Sequence, residues 1–234
     1  MTMNPREELK SMVTTGPAAD IFKAEQALNL SAAVGESADA VNASTFGNLF
    51  STVQGYATEQ FVLAINRLLE TQKRYFLLSL PGILGFLSEH AADLTLEQPT
   101  FLEQAMKRQG LWTDEIRVAT GPEQTRAVAN ALQGKLPMAN QNAALGALKA
   151  LRDKRIAHPE NISAEAIPKT TWEEAQKLLV MPRHAVAVCG AYFSMAYMDN
   201  EGRYFMTTDA GTAGYAMRRL FKELGIIKNE MRQG

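Results

Sequence analysis

The sequence predicts an all-α bundle forming one domain over residues 1–234. Two features carry this prediction. Apolar residues recur at three- and four-residue spacing in the long segments, and proline, glycine and capping residues fall where those segments begin and end. In addition, no internal repeat, low-complexity tract or linker divides the chain.

Taken in order, the first fifty residues are rich in Ala, Ser, Thr and Gly with moderate periodicity, which fits one or two helices with a frayed start. After Thr58, "EQFVLAINRLLE" places Phe61, Ile65, Leu68 and Leu69 at i, i+4, i+7 and i+8, an apolar stripe with Glu59, Asn66 and Arg67 outside it. The segment "KRYFLLSLPGILGFLSEHA" is helical in composition but interrupted at Pro81 and Gly82, predicting a kinked helix or two short ones, buried on nearly all sides. Residues 92–140 are broken by Pro99, Gly110, Gly121, Pro122, Gly134 and Pro137, so short helices are expected, notably "PEQTRAVANALQ". "NQNAALGALKALRDKRIAH" then reads as a helix with Ala144, Leu145, Leu148 and Leu151 towards the core.

Beyond Pro159 a loop leads to Thr171, which with Glu174 forms a capping box opening the next helix. Pro182 ends or kinks that helix, and "RHAVAVCGAYFSMAYM" continues as an apolar one. "DNEGR" is a turn, with "AYM" and "YFM" as a single candidate strand pair around it. Asp209 is placed to cap a last amphipathic helix closed by Gly225.

Composition limits the function. Hydrophobic content of 46%, 21% charged residues and a net charge of −1 describe an ordinary globular chain without a global positive field, so any affinity for nucleic acid must come from a local patch. A single cysteine, Cys189, excludes an intrachain disulfide, and with the polar start "MTMNPREELK" it points to the cytosol. The longest uncharged runs fall short of the roughly 20 residues a membrane span needs, so no membrane association is expected. Phosphate-loop, dinucleotide, zinc and serine-hydrolase motifs are absent, and no metal or cofactor is expected. His90 and His184 read as partly exposed side chains near helix ends, and the carboxylate pairs Asp114/Glu115 and Glu173/Glu174 as first-turn charges favoured by the helix dipole. The methionines of the last third fit packing or a partner surface.

One stretch concentrates chemistry: "LRDKRIAHP", residues 151–159. In an ideal α-helix Arg152 and His158 would be separated by about 9 Å of rise and about 240° of rotation, on different faces. Pro159 disfavours helical backbone at His158, so the imidazole could turn back towards the arginine. A helix C-terminus favours protonated histidine, while Arg152, Lys154 and Arg155 oppose it. Such a pairing suits metal-free RNA cleavage, in which histidine moves protons and arginine neutralises the phosphate. By spacing alone, a second reading stands: Arg152 and Asp153 as ordinary helix-end charges and His158 as a C-terminal cap.

The longer string "ALKALRDKRIAHP", with Asp153 directly after Arg152, resembles the signature of the HEPN superfamily (higher eukaryotes and prokaryotes nucleotide-binding domain): arginine, a polar residue directly after it, and histidine after four to six intervening residues, here five. "FVLAINRLLETQKRYFLLSLPGIL" and "TWEEAQKLL" are similar to its abortive-infection U-type branch, and the resemblance covers residues 55–200 approximately. It implies a core of four to five helices with added N- and C-terminal helices, paired two-fold as a homodimer, and a metal-independent endoribonuclease of phage defence or a toxin–antitoxin system with a cognate antitoxin. Alternatively, it implies a non-catalytic nucleotide- or RNA-binding or partner-interaction module. Carried over, Arg152 would hold the scissile phosphate, His158 would be the acid/base, and Asp153 would orient them. Lys154 and Arg155 lie outside the family pattern, as RNA-backbone contacts or as solvated charges.

Overall fold

The computed structural model describes residues 4–71, 77–157, 168–199 and 201–227. Among these are twelve α-helices and one π-helical turn; β pairing is limited to an isolated antiparallel bridge between Met198 and Tyr204. No helix among the described residues is long and apolar enough to cross a membrane.

Three helices come from the N-terminal segment: α1 (Pro5–Thr15), α2 (Pro17–Glu36) and α3 (Ala38–Ala43). Pro5 and Pro17 occupy first-turn positions where no backbone N–H is needed, and Asn4 caps α1 by accepting from the Arg6 N–H at 2.9 Å. α2 is a central element. Ile21, Ala24 and Ala33 are fully buried, and so nearly are Asp20 and Glu25. Burial on several faces, by small and charged residues together, is why its apolar periodicity reads as weak in the sequence.

α4 (Gly47–Leu69) lies against α2 and presents the expected stripe, with Phe61, Ile65, Leu68 and Leu69 all in the core. Asn66, expected outside the stripe, is instead buried, because its amide is hydrogen-bonded to two backbone carbonyls. α5 (Leu80–Glu89) begins at the Pro-Gly pair instead of kinking there. Ser79 caps it, Pro81 sits in its first turn, and Leu80, Ile83, Leu84 and Leu87 are fully buried. The preceding residues 72–76 lie outside the described residues.

The broken middle region supplies α6 (Pro99–Arg108), α7 (Asp114–Val118) and α8 (Gly121–Gln133), with Asp114 and Glu115 in the first turn of α7 as expected. Next come α9 (Ala143–Leu151), α10 (Trp172–Lys177), α11 (Val180–Gly190) and α12 (Phe205–Glu223). α12 starts four residues before Asp209, directly from the Met198–Tyr204 bridge, so Asp209 lies inside the helix and does not cap it. It ends as expected. Gly225 takes φ +69°, and the Gly225 and Ile226 N–H groups donate to Lys222 and Phe221 carbonyls, closing a Schellman motif. Phe221 meets Phe50 edge-to-face, centroids 4.8 Å apart, in a satellite cluster with Val34 and Val41.

The capping box opening α10 is present. Thr171 Oγ1 accepts from the Glu174 N–H at 3.2 Å, and Glu174 Oε2 accepts from the Thr171 N–H at 3.0 Å, a bond that holds the Glu174 carboxyl below its usual range. Replacing Thr171 by Ala removes both Oγ1 contacts. The expected loss is about 1 kcal/mol, read as a fall of about 2–4 °C in melting temperature for a chain of this size.

His184 departs from its expected exposure. It lies inside α11 with no accessible surface, its Nδ1 is 3.5 Å from Tyr204 Oη, and its Nε2 is buried without a partner. Arg183, paired with Glu25, is its charged neighbour on the chain. Burial pushes the imidazole pKa down to about 4 from 6.5. Above pH 6.5 the ring is neutral in both folded and unfolded chains and contributes nothing to pH dependence. Between about 6.5 and 4 the unfolded chain takes up a proton that the folded one refuses, so stability falls as pH falls. From pH 7 to pH 5 this should cost roughly 2 kcal/mol. Urea unfolding at both pH values should show that loss in the wild type and a smaller one in His184→Gln; equal slopes would mean that another group sets the acid sensitivity.

Candidate functional site

α9 is set by Asn142, whose side chain accepts from the Leu145 N–H at 3.1 Å, and by Leu145 and Leu148, which bury its inner face. At Arg152 the α-helical ladder widens, and Arg152–Ala157 form a π-helical turn. The ideal α-helical rise and rotation expected across "RDKRIA" therefore do not apply. Single π turns within helices are uncommon and recur at functional positions. A contact from a distant part of the chain accompanies the change: the Leu148 carbonyl receives both the Arg152 N–H and, at 3.3 Å, the amide of Asn66 from α4. Asn66 also donates to the Val62 carbonyl at 2.8 Å, so its side chain is fixed from its own helix.

The turn presents its two arginines to different cavities. Arg152 lines a cleft of about 300 Å³ together with Asn66, Glu70, Met138 and Lys149. Its side chain is only 19% exposed, its Nε and Nη2 both lie 2.7 Å from Asp153 Oδ1, and its Nη1 is 3.6 Å from Glu70 Oε2. Two donors on one carboxylate oxygen fix the plane of the guanidinium. Arg155 lines a separate cavity of about 500 Å³ bounded by Phe61, Leu148, Leu151 and Trp172. Lys154 is half-buried and lines neither.

Of the residues singled out in the sequence, Arg152 and Asp153 are thus brought together and Arg155 is directed elsewhere. His158 and Pro159 lie outside the described residues. Sequence reasoning missed Glu70, Lys149 and Asn66. Lys149 was discoverable, since it stands three positions before Arg152 and shares its helix face. Glu70 reaches the cleft from the end of α4, about eighty positions away, and nothing local marks it.

No protein-family model, curated protein or solved structure matches this chain.

Proposed function

We propose that the protein is a HEPN-type, metal-independent endoribonuclease acting as a two-fold homodimer in phage defence or a toxin–antitoxin system, with a cognate antitoxin as its regulator. What supports this reading is the setting of Arg152: a guanidinium mostly withdrawn from water, oriented by the adjacent Asp153, at the edge of a cleft that also holds Lys149. A cation fixed in this way is prepared to meet a phosphate without reorganising. Lys154 and Arg155 would add contacts to the RNA backbone.

In the proposed reaction, His158 of one protomer takes the proton of the ribose 2′-hydroxyl as the 2′-oxygen bonds to phosphorus. The P–O5′ bond breaks, and the second copy of the same residue gives a proton to the leaving 5′-oxygen. An isologous dimer supplies both roles from one position in the sequence. The products are a 2′,3′-cyclic phosphate and a 5′-hydroxyl.

One observation favours a second reading, a non-catalytic module that binds RNA, a nucleotide or a partner protein. Asp153 and Glu70 place two carboxylates around Arg152 and offset its charge before any phosphate arrives. Incubating purified protein with RNA in the presence of a chelator separates the two. Cyclic-phosphate ends that depend on His158 support the nuclease; Arg152-dependent binding without scission supports the module.

A further inference from the structure

Asn66 connects the proposed nuclease motif to the bundle. It stands on α4 among the core residues Val62, Ile65 and Leu69 and is itself only 5% exposed. A buried primary amide has to place its N–H groups on acceptors. Asn66 Nδ2 donates to the Val62 carbonyl of its own helix at 2.8 Å and to the Leu148 carbonyl of α9 at 3.3 Å. The first bond fixes the side chain, and the second reaches the turn of α9 that leads into Arg152.

The Leu148 carbonyl is therefore shared. It takes the amide of Asn66 and the Arg152 N–H, and that N–H is in turn divided between the Leu148 and Lys149 carbonyls. A side chain that enters the helical ladder deforms the helix locally, and the following residues, Arg152–Ala157, are π-helical. Neighbouring residues of an α-helix do not face each other, yet Arg152 Nε and Nη2 both lie 2.7 Å from Oδ1 of the adjacent Asp153. The pairing that orients the guanidinium thus belongs to the π-helical turn, and Asn66 lines the same cleft as Arg152.

We propose that Asn66 is a positioning residue for Arg152: by holding the Leu148 carbonyl it keeps the π-helical register in which Arg152 pairs with Asp153 at the cleft. The effect on catalysis rests on the nuclease reading; the effect on the guanidinium does not.

Asn66→Leu removes the amide donors at similar volume and leaves the Leu148 carbonyl its bond from Arg152. In the full chain with ¹⁵N-labelled arginine, the Arg152 Nε–H signal is assigned by its loss in Arg152→Lys. It should exchange slowly with solvent in the wild type and about tenfold faster in Asn66→Leu, the scale of one lost charge-assisted bond. In single-turnover cleavage the maximal rate should fall about 10²-fold while the half-saturating RNA concentration stays nearly unchanged. In an Arg152→Ala background, Asn66→Leu should cost nothing further. A wild type that does not cleave removes the nuclease reading and leaves the exchange measurement to decide this one. Unaltered exchange at Arg152 in a folded Asn66→Leu protein, or the same fall in cleavage with and without Arg152, would overturn the assignment. Where leucine is not accommodated, Asn66→Ala, which only deletes atoms, carries the test. If neither variant folds, the amide holds the bundle and not the turn, and the assignment falls as well.

Discussion

Alanine at His158 is expected to lower RNA cleavage by about 10²–10⁴-fold, the range for loss of one positioned general acid or base. In the proposed two-fold site each substitution would be present twice, so base and acid would be lost together and the upper part of that range would apply. Arg152→Ala should cost about 10²–10³-fold through loss of charge stabilisation on the phosphate. Arg152→Lys is the sharper variant. It keeps the charge but loses the two-donor bond to Asp153, so recovery of activity would mean that charge alone matters, and continued loss that orientation by Asp153 does. Single-turnover rates, with product ends analysed and chelator present, read these effects directly. Cleavage at wild-type rates in both alanine variants would remove the motif from the chemistry.

How far the site was legible follows from which contacts are local. Arg152 and Asp153 are adjacent, and their pairing could be anticipated from "LRD"; the capping box at Thr171 and Glu174, the stripe on α4 and the Gly225 stop are equally local and appear as read. The departures involve long-range partners. Asn66 is buried because the Leu148 carbonyl comes to meet it across 82 positions, and the π-helical turn coincides with that contact. His184 is buried although a helix start next to proline reads as a surface, because the Met198–Tyr204 bridge brings the Tyr204 ring towards it. α2 was the least legible element. Alanines pack without a periodic apolar signature, and its two buried carboxylates look like surface residues until their arginine partners are known.

The larger of those two ion pairs in energetic terms should be Glu25 with Arg183. Asp20 pairs with Arg67 at 2.7 Å, but the Arg67 side chain is 47% exposed, so water shares the solvation of that pair and its loss should be modest. Arg183 is 19% exposed and Glu25 only 5%, so both charges depend mainly on protein groups. Breaking a buried ion pair by removing one partner typically costs about 3–5 kcal/mol, whereas replacing both partners by apolar residues of similar volume is often close to neutral. Arg183→Met should therefore lower the unfolding free energy by about 3–5 kcal/mol, a large share of the 5–15 kcal/mol that holds an ordinary domain together. Adding Glu25→Met in the same chain should recover most of it. Urea unfolding of the two single variants and the double variant closes the cycle, and a coupling of several kcal/mol would identify the pair as the link holding α11 against α2. A loss below about 1 kcal/mol in Arg183→Met, the level of a solvated surface pair, would mean that apolar packing alone joins these helices, and α2 would then owe its central place to Ile21, Ala24 and Ala27 rather than to its buried charge.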